Sequence, residues 1–299
     1  AKFTFAEGKA KGMDCIIAYN GVLNIYLVPD RGLDIYRLEY RGVNYAFISK
    51  NGEVNPSLMG SEGMKFMNAF PGGFLYTCGL NNCMGPDIIN GVGVPQHGSY
   101  TYLPAENIVI RTFEKDASLY VEVVGTIRYS ALFGANIEVK RTITLEYNQP
   151  RFTLKDEITN LSAAKDSYLI MYHHNIGYPL LNGNSDLWID STDVDIFASG
   201  SDLGRITKFE YPQPRKKEEV FIHTIGEGFK PHASLTNGKN KVVISWDSEK
   251  LPYMVQWKSM ASQDYACGIE PTVSKYPEKK MVELESGQRH IYELLYDFD

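Results

Sequence analysis

Clustered positive charge is missing from this chain. Its 299 residues carry a net charge of −6, and no Lys/Arg stripe runs through them. Nucleic acids and anionic membrane surfaces are held by grouped cations, so neither is an expected partner. No stretch approaches the ~20 apolar residues of a membrane helix. The opening Ala1-Lys2-Phe3-Thr4 has no signal-peptide core, and a chain that begins without Met is expected to have been trimmed. Cysteine is sparse: Cys15, Cys78, Cys83 and Cys267 form no C-x-x-C, which argues against a zinc knuckle or thioredoxin-type site. Four reduced thiols in a cytoplasmic protein are expected, and there the sequon Asn160-Leu161-Ser162 is silent. Internal repeats, low-complexity tracts and linkers are also lacking. One domain spanning 1–299 is the simplest organisation.

Helical periodicity is scarce. Only Pro56 to Asn68 suggests a short helix, with Leu58, Met59, Met64 and Met67 turned inward. Strand signals dominate, supported by 20 tyrosines and 14 phenylalanines. Residues 22–28 and 33–40 read as strands joined by the turn Pro29-Asp30-Arg31-Gly32. Residues 118–129 alternate, with Leu119, Val121 and Val123 on one face. In 136–147, Ile137, Val139, Arg141, Ile143 and Leu145 share a face. Residues 152–158, 242–246, 253–257, 281–284 and 291–296 add further strands, with Ser286-Gly287 turning the last hairpin. Residues 80–96 and 179–200 read as long loops, and loops of that length in a compact domain are usually functional or strapped to the surface. Residues 215–219 read as a charged surface loop. The expected class is all-β, a large antiparallel sandwich.

Three spots combine proton-transfer residues with strand ends. Val94-Pro95-Gln96-His97-Gly98-Ser99 sets a histidine before a glycine, which lets backbone approach a ligand closely. Tyr172-His173-His174 ends an apolar strand; adjacent strand side chains point to opposite faces, so one histidine at most faces a given cleft. Cys267-Gly268-Ile269-Glu270-Pro271 delivers a carboxylate at the end of another apolar stretch, where a buried acid needs a partner. Each has an ordinary structural explanation alone. Together they suit opening of a pyranose ring: a base takes the anomeric hydroxyl proton while an acid protonates the ring oxygen. A carboxylate and an imidazolium fit those roles after modest pKa tuning.

In their order and spacing, these motifs resemble the aldose-1-epimerase (galactose mutarotase) superfamily, in particular its DUF4432 branch. The segments Val28-Pro29-Asp30-Arg31-Gly32-Leu33-Asp34-Ile35, Gly72-Gly73-Phe74-Leu75-Tyr76-Thr77-Cys78-Gly79-Leu80 and Met171 to Leu181 carry the same likeness, which spans nearly the whole chain. The resemblance implies a galactose mutarotase-like β-supersandwich of antiparallel sheets with a small-molecule carbohydrate in a cleft and no cofactor. It implies Glu270 as general base, His173 as general acid at the ring oxygen, and His97 as a second histidine near that oxygen.

One departure stands out. The galactose enzymes carry an Asn-Arg pair upstream of the first histidine, whereas this chain reads Leu80-Asn81-Asn82-Cys83-Met84-Gly85. Candidate replacements for sugar-hydroxyl recognition are Arg31, Asp30, Asn81, Gln96 and Lys258. For Asp30 and Arg31 the favoured alternative is a local turn-stabilising ion pair. Trp257 could stack on a sugar face or pack in the core, and it should point opposite to Lys258. Three other readings stay open: a non-catalytic carbohydrate-binding protein, a metalloenzyme using His97, His173 and Glu270, and a polysaccharide lyase or hydrolase. Oligomeric state is not legible.

Overall fold

The computed structural model describes residues 1–58, 63–89, 91–226 and 232–299. Two large sheets face each other, and every pairing between their strands is antiparallel. In the larger sheet, Asp34–Tyr40, Leu75–Leu80, Asp166–Ile176, Asp264–Thr272, Tyr253–Ala261 and Glu219–Ile225 lie side by side in that order. The other sheet contains Arg289–Phe298, Arg151–Asn160, Asn136–Glu146, Ser118–Ser130 and Ala105–Lys115 as successive neighbours.

Alternation builds the interface between the sheets. Ile137, Val139, Ile143 and Leu145 are fully buried, as are Leu154 and Ile158 across the strand pair. Arg141 shares that inward face. Burying a lone guanidinium is costly, so it arrives with partners. Its Nη2 and Nε donate to Asp156, Nη1 donates to Asp34 at 2.7 Å, and Nη2 also reaches the Thr77 hydroxyl. Asp34 and Thr77 belong to the larger sheet, Arg141 and Asp156 to the other. The Tyr172 hydroxyl donates to Asp156 at 3.0 Å, tying the strand that carries His173 into the same network.

Several expectations need correction. Pro56–Leu58 and Gly63–Asn68 are separate 3-10 turns rather than one helix. Leu58 and Met67 are exposed, and among the described side chains of 56–68 Phe66 is the buried one. Met59 and the side chain of Met64 lie outside the described residues. The segment 179–200 holds two strands, Asp186–Ile189 and Ser191–Ile196, and 80–96 holds the hairpin Asp87–Ile89 and Val92–Val94. Leu119 is partly exposed, while Val123 on the same face is buried. All four cysteines are free and buried. No helix among the described residues is long and apolar enough to cross a membrane.

Candidate active site

A cavity of about 240 Å³ opens over the larger sheet. Gln96, His97, His173, Glu218, Trp257 and Glu270 line it with Phe66, Phe70 and other apolar side chains. Four strands supply its floor: Asp166–Ile176, Asp264–Thr272, Tyr253–Ala261 and Glu219–Ile225. Asp166–Ile176 pairs on one side with Leu75–Leu80, setting His173 opposite Tyr76, and on the other with Asp264–Thr272. Across the next pairing Glu270 faces Val255. The two-residue period turns His173 to the cavity and His174 to the sheet interface. There His174 Nδ1 donates to the Ile269 carbonyl at 2.7 Å, which leaves Nε2 to accept from the Tyr296 hydroxyl at 2.9 Å.

His173 Nε2 and Glu270 Oε1 are 3.2 Å apart. They are at ion-pair distance, but the N–H direction does not complete a hydrogen bond, and Oε1 has no protein hydrogen-bond partner. The Nδ1 atoms of His97 and His173 likewise lack protein partners. The two imidazoles meet edge to face with centroids 5.4 Å apart. Phe66 packs on His97 and Phe70 on His173. Buried polar atoms are nearly always satisfied, so unmatched ones grouped beside the cavity make these residues candidates for a functional site.

Burial governs the protonation of these groups. It pushes the His97 imidazole down to about 3, with Lys279 adding to the shift. It lowers His173 well below the ordinary histidine value, helped by the neighbouring His97 and His174. It raises the Glu270 carboxyl well above the usual carboxylate range, and the negative Glu218 adds to that. Each group is driven toward its uncharged form, further than modest tuning would take it.

The late Gly-x-Glu has a steric basis. A Cβ on Gly268 would lie 2.3 Å from Glu270 Oε1 and 2.8 Å from Trp257 Cβ. The carboxyl therefore occupies the space that any other residue at 268 would fill. Gly98 plays a different part from the one expected. Its φ is +75°, and a Cβ there would meet the Asn82 and Gly79 carbonyl oxygens at 2.2 and 2.3 Å. It approaches neighbouring backbone rather than the cavity, and so fixes the turn that presents His97.

Of the six proposed sugar-binding residues, Gln96 and Trp257 line the cavity. Four do not. Arg31 is buried elsewhere: Nη1 donates to the Val54 carbonyl, Nη2 to Thr101 Oγ1, and Nε lies 3.6 Å from Glu53. Asp30 accepts from the Asp14 amide at 2.8 Å and Asn81 from the Ser99 amide at 3.0 Å, both holding the chain together locally. Lys258 points to the opposite face from Trp257, where it pairs with Glu219 at 3.1 Å and donates to the Arg205 carbonyl. Sequence reasoning missed Glu218, Phe66 and Phe70. Glu218 sat within a charge run typical of solvated surface; its Oε2 accepts from Trp257 Nε1 at 2.8 Å and steadies the indole at the cavity wall. Among the described residues, no three His, Cys, Asp or Glu side chains are grouped so as to ligate one ion.

Solved structures, among them proteins described as galactose mutarotase-like, share this fold of two facing antiparallel sheets. The sequence model of DUF4432, a domain of unknown function, matches residues 10–293, and the chain belongs to that family. A Klebsiella pneumoniae protein provisionally named an aldose 1-epimerase superposes with a TM-score of 0.92 at 23% identity, over 99% of this chain and 82% of that one. A galactose mutarotase-like protein from Clostridium acetobutylicum gives 0.65 at 16% identity, over 96% of each chain. Galactose 1-epimerase from Lactobacillus acidophilus gives 0.66 at 10% identity, over 100% of this chain and 98% of that one. No curated protein sequence matches the chain. At these identities the likeness is one of fold.

Proposed function

We propose that this protein is a mutarotase, interconverting the anomers of a free sugar by acid–base ring opening, with residues 1–299 acting as one unit. The observation that carries this reading is the His173–Glu270 pair, 3.2 Å apart in an aromatic-lined cavity and free of competing protein hydrogen bonds at the facing carboxyl oxygen.

In the ring-opening step, the Glu270 carboxylate takes the proton of the anomeric hydroxyl as the bond from the anomeric carbon to the ring oxygen breaks. The His173 imidazolium gives its proton to that oxygen. The enzyme is then left with a neutral imidazole and a protonated carboxyl. Burial favours that same pair of forms, so the cavity stabilises the protonation state that accompanies the open-chain aldehyde. Rotation of the aldehyde and reversal of both transfers closes the ring on its other face. His97, edge-on to His173, takes the part of a second hydrogen-bonding group near the ring oxygen in this reading. Trp257 offers a flat face to the sugar. No described Lys or Arg lines the cavity, which supports an uncharged sugar over a phosphorylated one.

The test is anomer exchange followed by NMR. Glu270→Gln keeps the shape and removes the base, so the rate should fall by roughly 10²–10⁴-fold. Wild-type exchange in that variant would refute the assignment.

A further inference from the structure

Resting on the mutarotase reading, we infer that the sugar is a deoxy sugar: an uncharged aldose carrying hydrogen where common hexoses carry a hydroxyl. The argument is a match of polar groups. A hexopyranose presents five hydroxyls and a ring oxygen. Among the described residues, five that line the cavity carry polar side chains suited to them: Gln96, His97, His173, Glu218 and Glu270. Ring opening commits Glu270 to the anomeric hydroxyl and the two histidines to the ring oxygen. One oxygen of Glu218 is already bonded to the Trp257 indole. Gln96 and the remaining Glu218 oxygen are left for four other hydroxyls.

The rest of the described wall is apolar. Val255 stands directly across from Glu270, and Val220, Met84, Phe66 and Phe70 continue the surface. A hydroxyl pressed against such a wall loses its water without gaining a partner. A methyl or methylene in the same place gains contact.

The experiment compares matched pairs in the exchange assay: 6-deoxyglucose and 2-deoxyglucose against glucose, D-fucose against galactose, and L-rhamnose against L-mannose. At least one deoxy member should exceed its parent in kcat/KM by roughly tenfold to a hundredfold, the discrimination a hydrophobic pocket achieves on one such group. Met67→Gln, a near-isosteric change at an exposed residue of the cavity rim, should narrow that preference by raising the parent's rate. Parents turned over within a few-fold of their partners in every pair would overturn the deoxy assignment while leaving the mutarotase reading intact. No acceleration of any sugar would overturn both.

Discussion

Replacing Gly268 with Ala tests whether the Glu270 carboxyl must stand where it does. The added methyl carbon would sit 2.3 Å from Oε1, against an ordinary contact of at least 3.4 Å, so the carboxyl must retreat by about 1 Å. The methyl also comes within 2.8 Å of Trp257 Cβ, which belongs to a neighbouring strand and cannot swing aside as a long side chain could. A misplacement of ~1 Å at a reacting group costs on the order of 10²-fold in rate. Overpacking of this kind costs about 1–3 kcal/mol of stability, within what a domain of ordinary stability tolerates. The assay is anomer exchange by NMR on whichever sugar the wild type accelerates, with line broadening as the separate readout of binding. The variant should still broaden the sugar signals while its exchange rate drops. In the Glu270→Gln background the same substitution should cost little more, because the group it displaces no longer acts as a base. A Gly268→Ala protein within a few-fold of wild type would refute the reasoning, as would losses that multiply in full in the double variant.

Two further predictions concern protons. Ring opening requires the His173–Glu270 pair to hold one proton. Burial lowers the histidine, so uptake of a second proton shifts to low pH; it raises the carboxyl, so loss of the only proton shifts upward. After subtraction of the buffer-catalysed background, kcat/KM should be flat through neutral pH, with its acid limb well below the ordinary histidine value of about 6.5. A limb at 6.5 would contradict the burial argument. His174 is structural and is held neutral at about 3. Its folded value lies below the unfolded one, so its contribution is fully present above about 6.5 and is lost as pH falls toward 3. Between pH 6.5 and 5 that loss is about 2 kcal/mol. Denaturant unfolding at pH 7 and pH 5 should therefore show a shallower acid dependence in His174→Gln than in wild type. Equal dependence in the two proteins would count against it.

Much of the fold was legible because strands alternate with a fixed period. The face containing Ile137, Val139, Ile143 and Leu145 could be read directly, and the same parity separated His173 from His174 and Trp257 from Lys258. What resisted reading was partnership across distance. Lys258 reads as a cation available to a sugar, and Arg31 as either that or the partner of Asp30 in a local ion pair. Their counter-charges, Glu53 and Glu219, come from a distant turn and a neighbouring strand, and nothing local to either cation announces them. Glu218 and Lys258 show the converse problem: the residue in the apparent surface run meets the cavity, and the one nominated for the cavity is sealed in the interior. The 56–68 segment failed for another reason. It reads as one helix with its methionines and Leu58 inward, whereas short 3-10 turns form at Pro56–Leu58 and Gly63–Asn68 and bury Phe66. The long apparent loop at 179–200 concealed strands with little alternation, since neither face of Ser191–Ile196 is deeply buried.

The Arg141 network also guards against a specific folding error. The strand ending in His173 and His174 could pair with Leu75–Leu80 one residue out of step and still bury mostly apolar side chains. Such a slip would exchange the two histidines, turning the wrong one toward Glu270. It would also carry the Tyr172 hydroxyl away from Asp156, taking one donor from a buried carboxylate that keeps its two bonds from Arg141. The polar cluster therefore favours the same alignment that sets His173 beside Glu270.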